Sequence, residues 1–262
     1  MEDTAGRASA VRYAAIGDSF TEGVGDERAD GSPRGWADLV AEGLARGLGG
    51  PVSYANFAVR GRLLAPIVNE QLEAALALTP APTVITLNGG GNDMMRPGMD
   101  GRRLAELIEH AVRRCAEAGV RLVLLSGADP SQRLPFGRTI HQRGVELTAA
   151  VKEMAARHGL TMVDMFNDRE IRKAAYWSPD RLHLNAAGHH RVAAHVLTAL
   201  GHTTPAEPLD HEPEVRRLLT EARYYRQHVL PWVHRRLRRR SSGDTVTAKH
   251  PTWTTIIAEP AA

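Results

Sequence analysis

With 262 residues and an apolar content of 43%, the chain can build one substantial domain and an appendage. Its formal charge of +3 is mild, and much of the basic excess sits in one run, His234-Arg235-Arg236-Leu237-Arg238-Arg239-Arg240, so the bulk of the protein is not a general polyanion binder. One cysteine, Cys115, excludes an internal disulfide, and no apolar stretch is long enough to span a bilayer.

The first residues, Met1 to Arg7, are polar and carry acids, without the basic start and apolar run of a secretory signal, so a cytoplasmic protein is expected. Residues 11–16 read as a short buried strand that stops at Gly17. Residues 35–47 read as a helix with Trp36, Leu39, Val40 and Leu44 on one face. A second strand is expected over 52–57 and a helix over 65–78, ended by Pro80 and Pro82. The β-branched, apolar run 83–88 suits a central strand. A helix over 101–118 closes at Gly119 and contains Cys115, expected as a buried structural thiol. Residues 120–126 form the clearest strand, 138–158 a helix closed by Gly159, and 160–165 a fifth strand. A last helix covers 185–200, with Asn185 as its cap.

Strands alternating with helices over about 200 residues imply a five-stranded parallel sheet covered on both faces, an α/β fold with right-handed crossovers. In such folds ligands bind at the carboxyl ends of the strands. Four chemically suggestive patches fall at those ends. Gly17-Asp18-Ser19 follows the first strand, Asn56 to Gly61 the second, and Gly89-Gly90-Gly91-Asn92-Asp93 the third. Asp180 and His183 lie in the loop between the fifth strand and the last helix.

Each patch has an ordinary and a chemical reading. Ser19 suits a helix N-cap, or a nucleophile that needs a base to take its proton. Asn92 after three glycines suits a turn, or an amide donor to an oxyanion; no Lys-Ser/Thr follows, so a Walker-type phosphate loop fails. Asp180 and His183, three residues apart, suit a surface pair, or a carboxylate that fixes the tautomer of a general base. His189, His190 and His195 lie near His183, but helical spacing does not gather them into a tetrahedral set, so no metal is expected. The lipase elbow Gly-x-Ser-x-Gly is absent, which argues against the common α/β-hydrolase plan. A glycosidase built on Asp18 and Glu22 would leave Ser19, Asn92 and His183 without a role.

The four patches, in this order, resemble the signature blocks of the SGNH hydrolases, the GDSL-type esterase and lipase superfamily. Phe20 stands where leucine is commonest in the first block. The resemblance covers about residues 11–200. It implies a three-layer α/β/α sandwich of flavodoxin-like strand order and a carboxylic ester hydrolase that needs no cofactor. By resemblance, the catalytic triad is Ser19, Asp180 and His183, and the oxyanion hole is formed by the backbone N–H groups of Ser19 and Gly61 with the Asn92 side chain. Small or medium carboxylic esters are the expected substrates. Acyl transfer or thioester hydrolysis on the same site, and a non-catalytic binding module that keeps the fold, are the alternatives.

The hydrolase domain is expected to end near residue 203, with 204–262 forming a linker, a basic helical extension and a flexible tail. Residues 212–240 read as that helix, kinked or ended by Pro231, and 241–262 as polar and without periodicity. Residues 212–233 carry apolar side chains that could pack on the domain or on a second copy of the chain. The run Arg235 to Arg240 reads as a solvated helix end, with contact to an anionic membrane or an acidic partner as the alternative; without interleaved aromatics no nucleic acid is expected. The acyl-binding wall is expected from loops 24–35, 94–100 and 127–138, which carry Met94, Met95, Leu134 and Phe136.

Overall fold

The computed structural model describes residues 11–134, 136–202 and 243–257. Five parallel strands form where the β-branched and apolar runs lie: β1 (Arg12–Ile16), β2 (Val52–Asn56), β3 (Val84–Asn88), β4 (Arg121–Leu125) and β5 (Thr161–Val163). A sixth strand, β6 (His250–Ile256), runs antiparallel to β2, and the sheet order is β5-β4-β3-β1-β2-β6. The five parallel strands thus have the flavodoxin-like order.

Strand side chains alternate between two cores, as a two-residue repeat requires. Tyr13 and Ala15 face one core; Ala14 and Ile16 face the other. The first core is covered by α2 (Trp36–Leu48) and α8 (Ala186–Ala199). The second is covered by α6 (Gly101–Glu117), α7 (Gly137–His158) and a composite helix, in which α3 (Leu64–Pro66) passes through a π-turn at Ile67–Gln71 into α4 (Leu72–Leu76). In α6 the buried residues Leu104, Ile108, Ala111, Val112 and Cys115 recur at helical spacing, so Cys115 is a packed core thiol. The Asp100 carboxylate caps that helix by accepting from the N–H groups of Arg102 and Arg103.

The sheet departs from expectation at one edge. Residues 250–256 are not a flexible tail but the strand that closes the β2 edge. Their sequence, His-Pro-Thr-Trp-Thr-Thr-Ile, is rich in β-branched and aromatic residues, and the proline is tolerated because β6 is itself an edge strand. The Trp253 indole N–H donates to the Pro80 carbonyl at 3.0 Å. Just before the strand, the Lys249 ammonium turns inward onto the buried Asp38 carboxylate. The expected helix over 212–240, its basic run and the association surface at 212–233 lie outside the described residues.

Candidate active site

The turn that carries Ser19 is held from several sides. Ser19 opens α1 (Ser19–Glu22), which follows β1 after two residues. Asp18 is the helix cap: its carboxylate accepts the Phe20 N–H at 3.1 Å. The Gln71 side chain grips Gly17 on both sides, accepting its N–H at 2.8 Å and donating to its carbonyl at 3.0 Å. A Cβ at Gly17 would lie 2.4 Å from the Thr21 hydroxyl and 2.9 Å from the Asn88 carbonyl, so a glycine is required there by close approach. Gln71 has no sequence signal: it is one polar residue in an otherwise apolar helix face, and only the fold brings it to Gly17.

The second patch is tied to the first by an ion pair whose carboxylate is buried. The Glu22 carboxylate, 3% exposed, accepts the Arg60 backbone N–H at 2.6 Å and the Arg60 guanidinium at 2.9 Å. Gly61 follows in the left-handed region, with φ of 76°. Asn56 is buried; its amide donates to the Thr21 carbonyl and the Tyr54 hydroxyl. With Glu22 committed to Arg60 and Asp18 to the turn, the paired-acid glycosidase reading loses both of its carboxylates.

In the third patch, Gly90 takes the left-handed conformation before α5 (Gly91–Met94). The Asn92 amide donates to the Asp18 carboxylate and to the Arg62 carbonyl, each at 3.0 Å. Both of its hydrogens are therefore engaged, and an oxyanion would have to draw one away. Asp93 accepts the Leu64 N–H at 3.0 Å, which locks this loop to the neighbouring helix. Burial pushes the Asp18 carboxyl up to about 6, against the opposing pull of the Phe20 N–H.

The fourth patch forms a compact turn. Asp180 Oδ1 accepts the N–H groups of Leu182 and His183, each at 3.0 Å, and Asp180 Oδ2 lies 2.6 Å from His183 Nδ1. Burial works to raise the Asp180 pKa, but hydrogen bonds from His183 and its neighbours outweigh this and hold it at about 2. An ionised Asp180 keeps the proton on Nδ1 and leaves Nε2 as the acceptor. The adjacent histidines have other partners. His189 is buried between the Trp36 N–H and the Val24 carbonyl, and burial lowers its pKa to about 4. His190 faces Arg34, and His195 sits beside Asp168.

Ser19, Gly61, Asn92 and His183 line one cavity of about 170 Å³. Apart from Asp18, Asn88, Ser126 and Thr148, its remaining wall is apolar. Met94 and Met95 contribute, as expected, and so do Gly127, Ala128 and Pro130 of the 127–138 loop. Leu134 and Phe136 do not line it; Phe136 is 86% exposed. A further face comes from α7, through Ile140, Gly144, Leu147, Thr148 and Val151, alongside Leu125 and Phe166. This face has no distinct sequence signal, because those residues read as ordinary core of an amphipathic helix.

The fold has known counterparts. No curated protein matches the chain by sequence. Among solved structures, TesA is 23% identical with a TM-score of 0.60, over 72% of this chain and 97% of that one. The psychrotrophic esterase EstA from Pseudoalteromonas sp. is 16% identical with a TM-score of 0.57, over 72% and 96%. Axe2, an acetylxylan esterase from Geobacillus stearothermophilus, is 20% identical with a TM-score of 0.56, over 73% and 94%. A model of the GDSL-like Lipase/Acylhydrolase family matches residues 15–191, a span that holds Ser19, Gly61, Asn92, Asp180 and His183, and the chain belongs to that family of acyl ester hydrolases.

Proposed function

We propose that the protein is a serine ester hydrolase that works through an acyl-enzyme on small or medium carboxylic esters. The observation that carries this reading is the 2.6 Å hydrogen bond that joins Asp180 to His183, which lines the same cavity as Ser19, Gly61 and Asn92. Ser19 Oγ attacks the acyl carbon while His183 Nε2 takes its proton. The charge that develops on the former carbonyl oxygen faces the Ser19 and Gly61 N–H groups and the Asn92 amide, which turns one hydrogen from the Arg62 carbonyl. His183 then returns the proton to the departing alkoxide, and the alcohol leaves. A water deprotonated by the same imidazole attacks the acyl-enzyme, and as the acid leaves the imidazolium returns that proton to Ser19 Oγ. Asp180 holds the Nδ1–H throughout and stabilises the imidazolium. The acyl chain lies along the α7 wall, where nothing polar but the Thr148 hydroxyl competes with it.

Ser19→Ala should lower kcat on p-nitrophenyl acetate by about 10⁴-fold or more, with an unchanged circular dichroism spectrum. Wild-type turnover in that folded variant would end the assignment.

A further inference from the structure

The segment from Gly243 to β6 lies beyond the region matched by the family model, which ends at residue 191, yet it touches the site from behind at two points. The first is Gly243. It is buried, and a Cβ placed on it would lie 2.0 Å from the Arg60 carbonyl oxygen and 3.0 Å from the Val59 side chain. The Arg60 carbonyl and the Gly61 N–H belong to one peptide group. In a trans peptide the two bonds point in opposite directions, so what presses on the carbonyl sets where the N–H points. The second is Lys249. Its ammonium donates to the carbonyl of Glu22 at 2.7 Å and to the Asp38 carboxylate, with its side chain only 14% exposed. Glu22 ends the short helix that Ser19 begins, and its carboxylate holds Arg60.

We propose that Gly243 and Lys249 are positioning residues for the oxyanion hole: the C-terminal strap clamps the Arg60–Gly61 peptide from its carbonyl side and, through Glu22, fixes it relative to Ser19. The inference rests on the reading above, in which the Gly61 N–H is an oxyanion donor. Gly61 sits at positive φ, where a glycine backbone exchanges readily between wells. A donor aimed in advance stabilises the transition state without reorganisation, and a loosely held one does not. Gly243 supplies the close approach that no other residue permits, and Lys249 supplies a charged tie in a buried place that an exposed tail would not keep.

The test uses the full chain with Gly243→Ala and Lys249→Met, melting curves for both, p-nitrophenyl acetate kinetics, and inhibition by phenylboronic acid, whose tetrahedral adduct with Ser19 places an oxygen in the oxyanion hole. Each folded variant should lose about 10-fold or more in kcat with KM within about 2-fold. Phenylboronic acid should weaken by the same factor as kcat/KM. A variant that melts cooperatively above the assay temperature but keeps kcat within about 2-fold overturns the proposal. So does a fall in kcat with unchanged boronate inhibition. If one variant does not fold, the other decides. Wild-type turnover by Ser19→Ala would remove the ester hydrolase reading itself, whereas an inert Ser19→Ala beside an unaltered Gly243→Ala removes the strap alone.

Discussion

The cavity has two unlike halves. One is polar and held atom by atom: Gln71 on Gly17, Asp18 on Phe20 and Asn92, Glu22 on Arg60, Asp180 on His183. The other is the apolar face of α7 with Leu125 and Phe166, whose side chains meet by packing, while bonds such as the Phe166 N–H to the Ser126 hydroxyl hold the backbone behind them. Directional bonds define positions to a fraction of an ångström, which chemistry at one carbon atom requires. Packing defines a volume, which suffices to sort acyl groups by size. The division predicts that changes in the polar half alter turnover on every ester, whereas changes in the apolar half alter which ester is preferred.

The largest effect expected beyond Ser19 is at Asn92. Asn92→Ala removes the proposed oxyanion donor and leaves the Asp18 carboxylate short of one partner. It should lower kcat by about 10²–10³-fold on short and long esters alike. Equal losses across p-nitrophenyl acetate, butyrate and octanoate would support the division; a loss confined to one chain length would break it.

A smaller and opposite pattern is expected from the wall. Thr148 is buried and lines the cavity, so Thr148→Phe fills part of it. The octanoate-to-acetate ratio of kcat/KM should fall by about 10-fold or more, with acetate turnover changed by less than about 3-fold. An unchanged ratio would show that the acyl chain lies elsewhere.

The last effect concerns stability rather than turnover. The folded-state pKa of Asp18, about 6, lies above its ordinary value. Its protonated form therefore favours folding most fully below about pH 4, and that contribution is lost as pH rises through about 6, on the order of 2–3 kcal/mol. Asp18→Asn cannot titrate. Its urea midpoint should decline less steeply between pH 4 and 7 than the wild-type midpoint, and parallel slopes would refute the assignment. Asp38, also raised to about 6 by burial despite its Lys249 partner, titrates in both proteins and leaves the difference intact.

Much of this molecule was legible in the chain because its signals are local. Each of the five parallel strands falls within about two residues of an apolar, β-branched run, and the helices end at glycines such as Gly49 and Gly159, in the left-handed conformation. The Asp180–His183 pair needed only a three-residue spacing and a turn. Gln71, Glu22 and Lys249 were not legible, because each acts on a partner 38 to 227 residues away and nothing in the intervening sequence encodes that distance. Residues 250–256 were misread for a related reason. Their β-branched content is a strand signal, but a lone edge strand gains its stability only from the β2 edge it pairs with.

By itself, then, the sequence determined the order of the strands and helices along the chain and the reactive groups at the strand ends, since periodicity, propensity and turn chemistry act over a few residues. Only the tertiary structure decided that a wall of α7 would shape the cavity and that a segment near the C-terminus would press on the back of the Arg60–Gly61 peptide. Those are contacts between surfaces that meet only after the sheet has formed, and a buried ion pair or a missing Cβ acquires its meaning from whatever lies across the gap.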